Sequence, residues 1–330
     1  MPVLISCCLG LVPMIGFALY VNWLDRYEKE PKVLLASAFL WGAIIAAGMA
    51  FVINTFIGEG ISLLTASEAF AELSIGVFVA PIIEESLKGM ALLILFLGFR
   101  KEFDSLLDGA VYGGMVGLGF GATENFYYIY ALGYQEDGWE GLWSLAFVRI
   151  ILVGWQHAFY TAFSGMGLAW ARLNRSPSRR LVASLGGFAL AIFSHAFHNA
   201  MVLLGIGLLV LPLDWFGWLA MFILILALIR SEQRLLRENL KEELNMGVLS
   251  PDQYNTAISS RAQVRARWRA LTQGKFKQTV RFYQLCAELA HKKEQLRRIG
   301  EEGYNSIIIA SLREELRTLS PNTISVASKR

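Results

Sequence analysis

Two glutamates and a lysine lie inside an apolar run otherwise long enough to cross a bilayer. The stretch is Pro81-Ile82-Ile83-Glu84-Glu85-Ser86-Leu87-Lys88, set within about residues 71–99. A charge at the centre of a membrane helix costs about 2.5–3.5 kcal/mol on insertion scales. A chain that keeps three charges in five residues must surround them with partners or use them in chemistry. Lys88 is four residues from Glu84, so the two can share a helix face and offset part of the charge. Pro81 cannot donate to the helix ladder, which predicts a kink just before the glutamates, with room for water or substrate.

The rest of the chain supplies a membrane setting. Only 17% of its 330 residues are charged, against about 25% in soluble domains. Apolar runs of spanning length (about 20 residues) occur near 2–24, 33–57, 71–99, 107–132, 142–170, 181–204 and 206–229. The fold class predicted is all-α: a polytopic bundle of about seven transmembrane helices, followed by a C-terminal cytoplasmic helical region. Loops with Lys or Arg (Arg26/Lys29/Lys32, Arg100/Lys101, Arg172/Arg175/Arg179/Arg180, and the segment after Arg230) alternate with loops that have none (58–70, 133–141 and a turn around Leu211-Pro212). That alternation predicts an outside N-terminus and a cytoplasmic C-terminus. The first apolar run lacks a basic leader and is too long for a signal-peptide core, so it reads as a retained span.

Charge divides the chain in two. Residues 1–230 hold 12 Lys+Arg against 16 Asp+Glu, and residues 231–330 hold 18 against 11. The domains expected are a membrane core over 1–230 and a basic cytoplasmic helical tail over 231–330. Tail helices are expected near 231–246, 251–272, 276–299 and 301–319, punctuated by Gly247, Pro251, Gly274, Gly300 and Gly303. The arginines at 261, 265, 267 and 269 read as a solvated face; no nucleic-acid fold signature accompanies them. Cys7, Cys8 and Cys286 form no disulfide framework.

Within the spans the polar groups share a level. Glu84 lies 16 residues from Arg100, Glu124 16 from Asp108, His157 15 from Arg172 and His195 15 from Arg180. At 1.5 Å per residue each offset is about 22–24 Å, which predicts one shared layer biased toward the outer face. Gly109, Gly113, Gly117 and Gly121 form a small-residue stripe for close helix contact, and Glu124 follows on it. Thr161 is a candidate hydroxyl partner for His157. His195, His198 and Asn199 fall on one helix face. Arg149 reads as a structural or snorkelling arginine, and His198 as a residue facing a neighbouring helix.

Carboxylates crowded into a low-dielectric layer cannot all ionise, so a proton should be shared among them. Such a group can hold a water, deprotonate it for attack and return the proton to a leaving amine. His195 with Asn199 could then steady the oxyanion, and His157 could orient or donate. The candidate catalytic residues are Glu84, Glu85, Lys88, Glu124, His157, His195 and Asn199, and the reaction expected is peptide hydrolysis inside the membrane. No cofactor is expected, since Lys88 places positive charge beside the site. The alternative is zinc held by Glu124, His157 and His195, with Glu84 or Glu85 as base. Two non-enzymatic classes compete: a proton-coupled transporter, which would need relay groups staggered across the membrane, and a scaffold whose tail recruits cytoplasmic partners.

The motifs resemble the PrsW family of intramembrane proteases, distant relatives of CAAX prenyl endopeptidases. The likeness rests on Glu84-Glu85-x-x-Lys88, on Gly117-Leu118-Gly119-Phe120-Gly121-Ala122-Thr123-Glu124-Asn125, on His157, on His195-x-x-x-Asn199 and on the acidic segment Asp25-Arg26-Tyr27-Glu28-Lys29-Glu30-Pro31. It covers about residues 15–205 and leaves the tail outside. The resemblance implies catalytic roles for Glu84, Glu85, Glu124, His157 and His195. It also implies a prokaryotic plasma-membrane protein that cuts a membrane-protein substrate, such as an anti-sigma factor, near its extracytoplasmic side. The CAAX branch has an arginine after its glutamate pair and a histidine in place of Glu124, so prenylated substrates are not expected.

Overall fold

The computed structural model describes residues 1–25, 27–301 and 304–326. Arg26 and Gly303, invoked above for the first basic loop and for tail punctuation, lie outside these residues. Every regular element described is helical: α1 (Pro2–Leu24), α2 (Lys32–Leu40), α3 (Ala47–Thr65), α4 (Glu68–Ser74), α5 (Ala80–Gly98), α6 (Leu106–Tyr127), α7 (Gln135–Ala146), α8 (Gln156–Arg172), α9 (Pro177–Leu203), α10 (Gly207–Asn239), α11 (Lys241–Asn245), α12 (Pro251–Ala257), α13 (Ser260–Thr272), α14 (Phe276–Ile299) and α15 (Asn305–Leu319). π-helical segments at Trp41–Ala46, Ile75–Val79, Tyr128–Tyr134 and Phe147–Leu152 join several of these into longer rods.

Five of the described helical stretches are long and apolar enough to cross a membrane: Pro2–Leu24, Lys32–Thr65, Leu106–Arg172, Pro177–Leu203 and Leu209–Asn245. The seven expected runs differ from these at two places. Leu106–Arg172, 67 residues long, takes in both 107–132 and 142–170. The run at 71–99 is divided into α4, a π segment and α5, and α5 carries Glu84, Glu85 and Lys88.

Of two proline expectations, the one at Pro212 changes. Pro81 falls in the first turn of α5, directly after the π segment, where its missing N–H costs the least. The break before the last span is at Gly205, whose φ is +73°, and Pro212 lies inside α10. The turn expected around Leu211-Pro212 is helix instead.

The chain forms two units. The first comprises residues 1–24, 30–172 and 177–224; the second comprises 25–29, 173–176 and 225–330. In the first unit the glycine stripe lays α6 directly on α8. A methyl group added at Gly113 would lie 2.5 Å from the Thr161 carbonyl oxygen, and one at Gly109 or Gly117 would collide with the backbone of Gly165 or His157. At Gly121, the last of the stripe, an added methyl would face the His157 ring itself, 3.3 Å from its Cδ2. Side chains on α6 would hold the helices apart; glycines let the backbones touch. Tyr112 on the same helix donates to Glu30, part of the acidic segment after α1, at 2.5 Å.

The second unit is a small helical cluster. Its core holds Phe282, Tyr283, Leu285, Cys286 and Leu289, all fully buried. Arg313 grips Glu243 with two hydrogen bonds, at 2.8 and 2.9 Å, and Lys293 adds a third at 2.8 Å. The helix expected over 251–272 is interrupted at Ile258-Ser259, where Ser259 caps the start of α13.

Candidate active site

The costly charges of α5 find their partners on three other helices. Glu84, Glu85 and Lys88 are all buried, with Glu85 and Lys88 at 0% exposure. Lys88 Nζ donates to Glu85 Oε1 at 2.8 Å and lies 3.5 Å from Glu84 Oε2. It also stands 3.1 Å from His157 Nδ1 and 3.7 Å over the Phe120 ring. Glu85 accepts from Thr161 Oγ1 at 3.0 Å and meets His195 Nδ1 at 3.1 Å. Thr161 thus serves Glu85 rather than its helix neighbour His157, because α5 presents the glutamate to that face of α8.

Each histidine is backed by a carboxylate. His195 Nδ1 faces Glu85, while its Nε2 is 3.8 Å from Glu84 Oε2. His157 Nε2 is 2.7 Å from Glu124 Oε2. Glu124 also receives Arg149 Nη2, and Arg149 Nε donates to Asn125 Oδ1 at 2.9 Å with its guanidinium 4.4 Å from the Tyr128 ring. Counting charges, three carboxylates (Glu84, Glu85, Glu124) meet two cations (Lys88, Arg149). The cluster is one positive charge short of balance, which a shared proton or a bound cation would supply.

These groups border one cavity of about 380 Å³. Glu84, Glu124, His157, Tyr160, His195, His198 and Asn199 line it, whereas Glu85 and Lys88 stand behind that wall. Asn199 is part of the lining, but its amide nitrogen is bound to the Gly76 carbonyl at 2.9 Å, away from His195. His198 pairs with Asp214 of α10 at 2.9 Å and contacts Gln156 at 3.0 Å. Asp214, Gln156 and Tyr160 are the residues that sequence reasoning missed. Asp214 could have been found as a charge within the run 206–229, and Tyr160 as the aromatic one turn after His157.

A metal test follows from the donor set. Glu84, His157 and His195 each offer an atom, all within 4.8 Å of one another. Two imidazoles and a carboxylate match hydrolytic zinc sites, and each ring's second nitrogen already has a carboxylate partner, as metal-bound histidines require. The set fits a divalent ion. It differs from the trio expected from sequence, with Glu84 in place of Glu124. Lys88 Nζ, 3.1 Å from His157 Nδ1, places a positive charge beside the trio.

Buried, carboxylate-backed His157 and His195 thus share a cavity wall with Glu84 and Glu124, in a chain whose described residues include five helical stretches of membrane-spanning length and composition. Residues 30–228 match the profile described as PrsW family intramembrane metalloprotease, and the chain belongs to that family. It is an integral membrane protein and an intramembrane peptidase. Curated relatives agree. Protease PrsW of Geobacillus kaustophilus is 27% identical over 212 residues, covering 62% of this chain and 86% of that protein. Protease PrsW of Bacillus subtilis is 29% identical over 170 residues, covering 52% and 70%. Protease PrsW of Clostridioides difficile is 31% identical over 124 residues, covering 37% and 50%. No solved structure matches the chain.

Proposed function

We propose that the chain cuts a peptide bond of a membrane-protein substrate, an anti-sigma factor being the class its family suggests, within the plasma membrane of a prokaryote. In this reading residues 1–230 are the protease core, residues 231–330 are a cytoplasmic tail, and the N-terminus is outside. The observation that carries it is the convergence of Glu84, His157 and His195 on the wall of the 380 Å³ cavity. A more open groove of about 460 Å³ shares Asn54, Glu72 and Ile75 with that cavity and supports an approach path for an extended substrate segment.

Glu84 is the carboxylate we assign to the water. It lines the cavity and keeps only long contacts, 3.5 Å to Lys88 and 3.8 Å to His195, so it is free to take a proton and return it to the leaving amine. Glu85 is saturated by Lys88, Thr161 and His195, and its part is to fix the His195 ring. Glu124 does the same for His157, and Arg149 anchors Glu124.

The donor trio and the family description favour a second version of the chemistry. There Glu84, His157 and His195 would hold a divalent ion, which when bound acidifies a water and polarises a carbonyl. Glu124, also on the cavity wall, would then be the proton acceptor, and Lys88 keeps its shorter contact to Glu85. The test uses protein reconstituted with a single-spanning reporter. Wild type is expected to release two fragments and His157→Ala/His195→Ala none; equal cleavage by both would end the hydrolase reading. Elemental analysis separates the versions: one bound metal per chain, lost in the double variant, supports the second, and a metal-free active protein supports the first.

A further inference from the structure

Tyr160 is 2% exposed, and its hydroxyl is buried with no hydrogen-bond partner among the described residues. A buried hydroxyl left unpaired is destabilising, and phenylalanine would fill the same space without that penalty. The hydroxyl therefore needs a reason that the described residues do not supply. Its surroundings point to a ligand. Tyr160 lines the cavity beside Glu84, His157 and His195. Its ring stacks on the His195 imidazole, with centroids 4.8 Å apart and planes at 16°, and meets the His157 ring edge-on at 6.1 Å and 88°. Both rings that frame the water-activating carboxylate thus also fix the tyrosine.

Several other donors around the site already have partners. Lys88 is shared among Glu85, Glu84 and His157, and Arg149 between Glu124 and Asn125. His195 Nδ1 faces Glu85, and the Asn199 amide is bound to the Gly76 carbonyl. Attack on a peptide carbonyl creates an oxyanion, and stabilising it requires a preorganised donor. We propose that Tyr160 is that donor, its O–H hydrogen-bonding the carbonyl oxygen of the scissile bond. This rests on the hydrolase reading above. As the water oxygen bonds to the carbonyl carbon, the C=O electron pair moves onto oxygen and Glu84 takes the water proton. The oxyanion accepts the Tyr160 hydrogen bond while the tyrosine keeps its proton. Collapse then breaks the C–N bond, the Glu84 proton goes to the amine, and the tyrosine hydroxyl is released.

The experiment is Tyr160→Phe beside Glu84→Gln, in proteoliposomes containing a single-spanning reporter that the wild-type protein cleaves. Loss of one oxyanion donor lowers kcat by about 10²–10³-fold, so Tyr160→Phe should show that loss with KM within about threefold of wild type. Its thermal midpoint should be equal or higher, since only an unpaired hydroxyl is removed while the stacked ring remains. Wild-type kcat in Tyr160→Phe with Glu84→Gln inactive overturns the tyrosine assignment alone. Wild-type kcat in Glu84→Gln removes the hydrolase reading beneath it. A loss confined to KM, or one that comes with a lower thermal midpoint, also overturns the assignment, because it marks binding or structure.

Discussion

Gly113→Ala is the smallest change that should reach the proposed catalytic residues without touching them. The new methyl would meet Thr161 O at 2.5 Å, Ala162 Cα at 2.8 Å and Thr161 C at 2.9 Å, where ordinary contact begins at 3.4 Å. All three atoms belong to the α8 backbone, so no side-chain rotation relieves them and α8 must retreat by up to about 0.9 Å. Overpacking of this kind costs about 1–3 kcal/mol. Alanine's better helix propensity returns about 1 kcal/mol, which leaves a net loss of about 0–2 kcal/mol and a folded protein. Activity should suffer more. Thr161 carries the 3.0 Å hydrogen bond to Glu85, and His157 lies one turn before it. A displacement near 1 Å at a reacting geometry costs about 10²-fold in rate. Gly48→Ala is the control: nothing lies within 4 Å of its added methyl, so only the propensity gain applies. The assay pairs the thermal midpoint in detergent with the rate of reporter cleavage. If Gly113→Ala behaves like Gly48→Ala in both, the reasoning from helix contact to catalysis is wrong.

Three further substitutions probe the charge network and the tail. Arg149→Met strips Glu124 and Asn125 of their shared donor; the pair is half-buried, with side chains 17% and 19% exposed, so the loss should fall below the about 3–5 kcal/mol of a fully buried pair; Arg149→Lys should recover only part of the thermal midpoint, because an ammonium cannot reach both acceptors as the fork does. In the tail, burial alone would raise the Glu294 carboxyl, but hydrogen bonds from Arg297 and Arg298 outweigh it and hold the group at about 2. Its unfolded value is about 4.3, so the stabilisation is present above that pH and is lost as pH falls from about 4.3 toward 2. The arginine side chains are 70% and 52% exposed, so screening limits the effect to about 1 kcal/mol. The protection factors of the α14 amides, exchange corrected for the intrinsic rate at each pH, should therefore fall between pH 5 and pH 3 in wild type and change less in Glu294→Gln; identical profiles would refute this.

That the polar groups of several helices belong together could be read from the sequence, and Glu84, Glu124, His157 and His195 do line one cavity; the direction each faces could not. Glu84, Glu85, Lys88, Glu124, His157 and His195 stand out because a polar group in an apolar run is expensive, and counting residues to the membrane edge sets its level. The same count says nothing about rotation around the helix axis. Thr161 therefore looked like a partner for His157 and serves Glu85, and Asn199 looked like a partner for His195 and holds Gly76. The glycine stripe announced a close contact, but only the structure identifies α8 as the helix it meets. Asp214 went unseen because Pro212 suggested a turn, whereas the chain breaks at Gly205 and the aspartate faces His198 from within α10. The donor trio depends on azimuth too, which is why Glu84 and Glu124 exchange places between the two descriptions.

The central claim is that Glu84, at the cavity wall with His157 and His195, makes this site hydrolytic. Its most direct measurement is the cleavage rate of a membrane-spanning reporter by reconstituted Glu84→Gln, with wild-type protein alongside and equal thermal midpoints as proof of folding. Removing a general base costs about 10²–10⁴-fold, and a loss of that size is the result predicted; cleavage at the wild-type rate would contradict the account.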